Sequence, residues 1–402
     1  MLNISDLFMF YLLKKVNFIS IFKVFNKQNM KISPFKLERY FAKYEFSTKY
    51  LLSSSDCDGY SMSDILSLAT VDEKILWENL SLGYTESQGL PMLRDEIVEL
   101  YSGISPDELM VAAPEECIFI ALNCLLSKGD HVICIAPSYQ SLHQIVESIG
   151  CEVTYWLPNE ENGWYFDPND IEKAIRSNTR LIIINFPHNP TGYLPSISEF
   201  QRIIDIARNN KLFLFSDEMY RYLEHEPEFR LPSASDLYEN AISLSGLSKT
   251  FGLAGLRLGW ISTQNIDLLN KLIAFKDYTT ICNSAPSEIL GLIGLRHKEQ
   301  LIKENLQKIK RNLNLLDGFI KRHNNILSWV IPKAGTIGFA RLNIKESSFD
   351  FCEAVVNKSG IMIVPSEMFD YGSKHIRLGF GRANLPIVLE KFDEYLNLSY
   401  KT

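Results

Sequence analysis

Residues 181–218 read LIIINFPHNPTGYLPSISEFQRIIDIARNNKLFLFSDE, and their pattern of apolar residues indicates the fold class. Two short, nearly continuous apolar runs stand at its ends, at Leu181–Pro187 and Leu212–Glu218. Between them, apolar side chains recur at helical spacing after Ser196 and Ser198, either of which can cap a helix. A helix between two apolar strands predicts a parallel sheet that is covered on both faces.

The same pattern continues along the chain in both directions. Further strand-like runs lie at residues 131–137 (HVICIAP), 241–247 (AISLSGL) and 258–263 (LGWIST). A long periodic stretch from Ile302 predicts a connecting helix, and later runs predict more strands before a last helix near Pro386–Leu396. The sequence therefore predicts an α/β fold with a mostly parallel sheet.

Composition limits the function. The net charge of −7 and the pI near 5.6 argue against nucleic acid as the main partner, because a phosphate-binding surface needs a basic excess. The seven cysteines include no CxxC pair and are odd in number, which disfavours a disulfide scaffold or a structural zinc site. We predict no metal, reduced thiols and a cytoplasmic location.

The first 30 residues are apolar, but Lys14 and Lys15 divide them, and neither half reaches the roughly 20 residues that a membrane span needs. No small-residue cleavage site follows, so a secretory signal is disfavoured. We predict a poorly ordered extension over residues 1–32. An amphipathic anchor at the membrane surface is the alternative.

Polar residues that follow the predicted strands are the candidate site, because ligands of such sheets bind at the carboxyl ends of the strands. Lys249 lies in SGLSKTFGLAGLRLGW (245–260), where apolar neighbours favour a neutral, nucleophilic amine over the more common solvated lysine. Asp217 ends a strand and needs a cation or hydrogen bonds, with Tyr220 close by; a helix N-cap is the alternative. The turn at Asn189–Pro190 is a candidate for a cis peptide bond.

Taken together, these motifs resemble the class I/II aminotransferases, pyridoxal-phosphate-dependent enzymes of fold type I, over roughly Ser33–Leu398. The resemblance implies a large cofactor-binding domain at residues 76–305 with a mostly parallel seven-stranded sheet. It also implies a smaller α+β domain that is built from residues 33–75 and 306–402. The expected cofactor is pyridoxal 5′-phosphate.

The resemblance also implies a role for each residue around the cofactor ring. Lys249 matches the lysine of the internal aldimine, and Asp217 matches the aspartate that pairs with the ring nitrogen. Asn189 and Tyr220 match the two groups that bind the phenolic oxygen, while Tyr139 in APSYQSL matches the aromatic residue that stacks on the ring.

For the cofactor phosphate, the resemblance implies Arg257, the Ser248 hydroxyl and the backbone at a helix start. That helix start comprises Pro114, Glu115 and Glu116. Two carboxylates are unusual there, so we expect their side chains to point away from the phosphate. Gly246 stands where the family often has a serine, which leaves one hydroxyl contact in doubt.

Two further residues concern the subunit partner and the substrate. Tyr84 matches a tyrosine that reaches the phosphate of the neighbouring subunit, which implies a homodimer with a shared active site. Arg377 in HIRLGFGR matches the arginine that binds the substrate α-carboxylate, with Asn189 beside it, whereas we expect Arg382 to be structural. Tyr278 stands near the place of the arginine found in dicarboxylate-specific members, which disfavours strict aspartate specificity.

The implied reaction moves an amino group between an L-amino acid and a 2-oxo acid. The alternative is another pyridoxal-phosphate enzyme on the same fold: a C–S lyase, a decarboxylase or an amino-acid cyclase or synthase. A cofactor-binding regulatory protein is disfavoured, because the segment before Ser33 is too short and too apolar for a DNA-binding module.

Overall fold

The computed structural model describes residues 32–400. By its contacts the chain divides into Met1–Pro34 and a compact unit that begins at Phe35, and the following concerns that second unit alone. The predicted poorly ordered extension and its membrane-anchor alternative lie almost wholly outside the described residues.

A seven-stranded sheet forms the centre of this unit, in the order β2-β8-β7-β6-β5-β3-β4. Of the seven strands in this sheet, β8 alone runs in the direction opposite to the other six. The strands of this sheet are β2 (Leu109–Ala112), β3 (His131–Ile135), β4 (Glu152–Trp156), β5 (Thr179–Asn185), β6 (Phe213–Asp217), β7 (Ala241–Gly246) and β8 (Gly259–Ser262). The five apolar runs predicted as strands are β3, β5, β6, β7 and β8, and the predicted α/β fold is confirmed.

Two smaller sheets contain the remaining strands, which come from both ends of the described chain. Their strands are β1 (Tyr50–Leu51), β9 (Leu327–Ser328), β10 (Ile337–Leu342), β11 (Ile361–Met362), β12 (Val364–Pro365) and β13 (His375–Gly379). β1 pairs in parallel with β11, and the other four make a sheet in the order β12-β13-β10-β9. The predicted boundaries of the two domains stay a prediction.

Helices cover the sheets. They are α1 (Lys36–Tyr44), α2 (Met62–Leu68), α3 (Val71–Glu78), α4 (Pro91–Val98), α5 (Pro114–Leu125), α6 (Ser141–Ile149), α7 (Pro168–Ala174), α8 (Ile197–Asn209), α9 (Ala234–Leu237), α10 (Ile266–Lys276), α11 (Ala285–Arg296), α12 (Lys298–Arg322), α13 (Ser348–Ser359) and α14 (Leu385–Ser399). In α8, the Ser196 side chain accepts from the Glu199 amide, so Ser196 is the cap of the predicted helix between β5 and β6.

Burial follows the predicted pattern. Leu181, Ile182, Ile183 and Ile184 of β5 are all fully buried, as a strand covered on both faces requires. Across residues 32–400, no helix combines the length and apolarity that crossing a membrane requires. The seven cysteines are free thiols. In the same range, no group of His, Cys, Asp and Glu side chains is placed to hold a metal ion.

Candidate active site

A cavity of about 490 Å³ lies at the carboxyl ends of β5, β6 and β7. The side chains of α1 and of residues 54–56 line it from the other side. Ten of the residues singled out in the sequence line this cavity: Pro114, Glu115, Tyr139, Asn189, Asp217, Tyr220, Ser248, Lys249, Arg257 and Arg377. Glu116 and Tyr84 are not among its lining residues.

Lys249 follows β7 and reaches into the cavity, where its Nζ donates a hydrogen bond to Ser55 Oγ at 2.9 Å. Burial lowers the pKa of the Lys249 amine, and the positive charge of Arg377 acts in the same direction against the opposing carboxylate of Asp56. The site therefore shifts the amine towards its neutral form, which is the form that can act as a nucleophile or accept a proton.

Asp217 is the last residue of β6 and is 6% exposed. Its Oδ1 accepts one hydrogen bond, from the Met219 amide at 3.1 Å, and burial raises the pKa of the carboxyl to about 7. No helix begins at the residues that directly follow Asp217, so the alternative role of Asp217 as a helix cap is wrong. A bound cation beside this carboxylate would offset the cost of burying its charge.

Arg377 on β13 is 1% exposed and lies next to Asn189. Its Nη1 donates to Asn189 Oδ1 at 3.3 Å and its Nη2 donates to the Ser53 carbonyl at 2.9 Å. Its Nε has no hydrogen-bond partner among the described residues. A buried guanidinium with a free N–H that lines a cavity is suited to an anionic ligand. The Asn189–Pro190 bond is cis.

Two tyrosine hydroxyls donate hydrogen bonds that link different segments of the cavity lining. Tyr220 donates to the Ser55 carbonyl at 2.9 Å, and Tyr139 donates to Glu38 Oε1 at 2.9 Å. Burial raises the pKa of both phenols, so each remains a neutral hydrogen-bond donor. The ring of Tyr139 also packs against Phe35, with 4.9 Å between ring centroids.

The amino terminus of α5 lies at another end of the cavity, with Arg257 and Ser248. Ser248 is 5% exposed and its Oγ has no partner within the described part of the chain. The first turn of a helix leaves backbone N–H groups without acceptors, so the amides of Glu115 and Glu116 are available to an anion. A helix start, an arginine and a free hydroxyl together suit a phosphate.

The two glutamates at this helix start behave differently. Glu116 turns away from the cavity and accepts hydrogen bonds from Thr279 and Thr280. Glu115 lines the cavity and accepts from Ser141 Oγ at 3.2 Å, and burial raises the pKa of its carboxyl to about 7. The expectation that both side chains point away is thus wrong for Glu115, whose carboxyl is about half neutral near pH 7 because of burial.

The glycine at position 246 has a steric explanation. A Cβ at this position would lie 3.0 Å from Gly259 Cα and 3.1 Å from the Leu258 carbonyl oxygen, because β7 and β8 approach closely here. A serine there would require the backbone of β8 to move by a few tenths of an ångström. Ser243 does not replace it, since its Oγ donates to Glu218 in a separate buried network.

The sequence did not single out several cavity residues. These include Glu38, Phe41 and Glu45 near α1, and Asn185 at the end of β5. Ser54, Ser55 and Asp56, which follow β1, also line the cavity. The amphipathic spacing of Glu38, Phe41 and Glu45, at intervals of three and four residues, is the one signal that could have indicated a shared face.

The residues in this cavity fit pyridoxal 5′-phosphate. Lys249 can hold its aldehyde, and the buried Asp217 carboxylate offers the negative charge that a protonated ring nitrogen needs. The unpartnered Ser248 hydroxyl and the start of α5 offer hydrogen bonds to a phosphate. Every part of the cofactor thus has a chemically matched group in one cavity.

Comparison with known proteins agrees with this geometry. The family model for aminotransferase class I and II matches residues 48–392. The chain belongs to the class I and II aminotransferase family. Pyridoxal 5′-phosphate is accordingly its cofactor, and the transfer of amino groups is the reaction class of the family.

Three similar proteins illustrate the spread of this aminotransferase family. A solved structure of a PLP-dependent aminotransferase from Streptococcus suis has a TM-score of 0.87 and is 28% identical, covering 93% of this chain and 100% of its own. An aspartate aminotransferase from Pyrococcus horikoshii is 28% identical, over 78% of this chain and 81% of its own length. Capreomycidine synthase from Streptomyces vinaceus is 26% identical, over 86% and 88%.

Proposed function

We propose that this aminotransferase-family protein moves the amino group of an L-amino acid to a 2-oxo acid, with Lys249 as its proton carrier and Arg377 as its carboxylate-binding group. The observation that carries the proposal is one cavity that contains the Lys249 amine, the buried Asp217 carboxylate and a buried guanidinium with an unpartnered N–H. The proposed cofactor contacts of Asn189, Tyr220 and Tyr139 follow from their places on the same walls.

Bound pyridoxal phosphate supplies an aldehyde and a ring that accepts electrons from the substrate Cα. Asp217 would hold a proton on the ring nitrogen, because the protonated ring nitrogen is a cation and a cation stabilises a buried carboxylate. Lys249 Nζ, whose pKa burial lowers, would take the proton from the substrate Cα and then return it to the cofactor carbon. Arg377 would orient the substrate by its α-carboxylate, so that the Cα–H bond faces Lys249.

The proposal is tested by the absorbance of the cofactor-loaded protein during a single half-reaction. We expect an L-amino acid, added without a 2-oxo acid, to convert the cofactor band to that of the pyridoxamine form in one stoichiometric turnover, with release of a 2-oxo acid. A 2-oxo acid added afterwards should restore the first band. If no amino acid in a panel of all common side chains changes the spectrum, the proposal is wrong.

A second function has a specific observation in its favour. The similarity to capreomycidine synthase extends over 86% of this chain, so an amino-acid cyclase or synthase reaction would use the same cofactor residues. Release of a cyclised or otherwise modified amino acid, with no pyridoxamine formed, would favour this alternative. Pyruvate with ammonia would indicate a lyase, and carbon dioxide a decarboxylase.

We also propose that the enzyme is a homodimer in which Tyr84 binds the cofactor phosphate of the partner subunit. Tyr84 is 91% exposed, and Leu82 beside it is 84% exposed, so an apolar segment is available for a second copy. Tyr84→Phe should weaken cofactor binding at least about tenfold, the usual effect of one lost hydrogen bond to a charged group. Fluorescence titration with pyridoxal phosphate measures this, and Tyr371→Phe is the control. Binding by Tyr84→Phe as tight as by wild type would contradict it.

Asp217→Asn should stabilise protein that has been freed of cofactor. The pKa of Asp217 is raised to about 7 in the fold from 3.8, so its contribution to stability is fully present below about pH 4 and is lost as pH rises through 7. An uncharged asparagine avoids this loss, so the free energy of unfolding of the variant should exceed that of wild type by about 4 kcal/mol at pH 8 and by less at pH 5.

Urea unfolding of the cofactor-free proteins at pH 5 and pH 8 measures this difference. The exposed Asp95→Asn is the control, and it should change the free energy of unfolding equally at both pH values. In the loaded enzyme, Asp217→Asn should instead lose activity, because the ring nitrogen loses its charge partner. A variant that is less stable than wild type at pH 8 would show that the carboxylate is already compensated in the fold.

A further inference from the structure

One side of α1 faces the cavity with two carboxylates. Glu38, Phe41 and Glu45 are spaced by three and four residues, which puts them in one row along the helix, with Glu45 just past its last residue. All three line the cavity. We call these three residues the acidic stripe.

The cavity has more acidic than basic groups. Its lining contains three cations, Lys249, Arg257 and Arg377. The proposed function uses all three, for the aldehyde, the phosphate and the substrate α-carboxylate. The lining carboxylates number five: Glu38, Glu45, Asp56, Glu115 and Asp217.

Three of these five carboxylates have a local explanation. Asp217 is assigned to the ring nitrogen, and Asp56 pairs with Arg382 at 3.0 Å. Glu115 accepts a hydrogen bond from Ser141, and burial raises the pKa of its carboxyl to about 7. The two glutamates of the acidic stripe remain.

Neither glutamate of the acidic stripe has an ion-pair partner among residues 32–400. Glu38 accepts a hydrogen bond from Tyr139, which is a neutral donor. Glu45 accepts none in the same range, and burial and the negative charges of Asp56 and Glu38 raise the pKa of its carboxyl against the positive charges of Arg382 and Lys249. The two glutamates therefore repel each other, and a cation between or beside them would relieve that repulsion.

An independent feature points to a ligand beside the acidic stripe. Arg377 is 1% exposed and its Nε has no partner among the described residues. The centroid of the Phe41 ring, in the middle of the stripe, lies 5.7 Å from Arg377 Cζ. An amino acid that binds Arg377 by its α-carboxylate is thus next to the stripe. Phe41 offers apolar contact to side-chain methylenes, and the glutamates offer negative charge to a group beyond them.

On the basis of the function proposed above, we propose that the acidic stripe selects an amino-acid substrate with a cationic side chain, a guanidinium or an ammonium on several methylene groups. A cationic side chain loses its hydration on entering the cavity. Charge-assisted hydrogen bonds to the stripe would offset the free-energy cost of that loss. A substrate with a second carboxylate would be repelled from the same place.

The first test compares L-arginine with L-citrulline, which has nearly the same shape but no charge. With the cofactor-loaded enzyme, kcat/KM for the half-reaction should be at least about 30-fold higher for arginine. The ratio of the two values should fall at least about tenfold in Glu38→Gln/Glu45→Gln. Glu353→Gln is the matched control, because Glu353 contacts α1 from the other side through Lys43 and Tyr44, and it should leave the ratio unchanged.

The second test measures binding without turnover. Calorimetric titration of the cofactor-loaded Lys249→Ala protein should give a Kd for arginine at least about tenfold lower than for citrulline. Equal affinities would overturn the role of the stripe, whatever the reaction is. The same difference in Kd should disappear when Glu38→Gln/Glu45→Gln is added to Lys249→Ala.

The outcomes separate this inference from the proposed function. If neutral or acidic amino acids react faster than basic ones, the stripe does not select a cation, although the enzyme is still an aminotransferase. If arginine reacts by a route that forms no pyridoxamine, the substrate class holds and the transfer reaction is wrong. If arginine neither binds better than citrulline nor changes the spectrum, the inference about the stripe fails.

Discussion

Lys249→Ala should lower turnover by at least about a thousandfold, because the variant loses the group that holds the cofactor aldehyde and carries the Cα proton. No other lysine lines the cavity in the described part of the chain, so no neighbouring amine can take over. The change is measured as the rate of the half-reaction with the best amino acid of the panel, at saturating pyridoxal phosphate.

A surface lysine serves as the control. Lys391→Ala removes an exposed amine that pairs with Glu394 on α14, and it should leave the rate unchanged. Added methylamine should restore part of the rate to Lys249→Ala, since a free amine can enter the space left by the side chain. A Lys249→Ala enzyme with more than a few per cent of wild-type activity would contradict the assignment.

Arg377→Lys should raise the KM for the amino acid about 30-fold, with a smaller change in kcat. Lysine keeps the positive charge but lacks the planar fork that binds a carboxylate through two parallel hydrogen bonds. It also loses one of the two contacts that hold the guanidinium, to Asn189 Oδ1 and to the Ser53 carbonyl. Steady-state kinetics with a fixed 2-oxo acid separates the effect on KM from that on kcat.

Arg382→Lys is the matched control for this substitution. Arg382 lies close in sequence and binds Asp56 through Nε and Nη2, so the same change there disturbs a structural ion pair. We expect it to alter stability more than KM. If Arg382→Lys raises KM as much as Arg377→Lys does, the carboxylate site is wrongly assigned.

The parallel strands and their polar ends could be predicted from sequence because both depend on local pattern. β5 and β6 are apolar over most of their buried length and end in polar residues, and the rule that ligands bind at the carboxyl ends of strands led to Asp217 and to the turn at Asn189. Lys249 was singled out by its apolar neighbours, and Arg257 by the resemblance to the aminotransferase family. Such residues are fixed by the strand that precedes them, so a short window of sequence is sufficient.

The rest of the cavity could not be predicted in this way, because it depends on contacts between distant segments. Ser55 receives the Lys249 hydrogen bond across 194 positions of the chain. Glu38 meets Tyr139 across 101 positions. A serine or a glutamate carries no local sign of such a partner. The predicted direction of the Glu115 side chain was wrong for the same reason, because a hydrogen bond from the distant Ser141 holds that side chain.

Reduction followed by mass spectrometry shows whether Lys249 is the residue that holds the cofactor. The cofactor-loaded enzyme is treated with borohydride, which makes the bond between an amine and the cofactor permanent, and is then digested. We expect a pyridoxyl phosphate group on the peptide that contains Lys249, at close to one per chain. A label on another lysine, or no label above that of Lys249→Ala, would contradict the account.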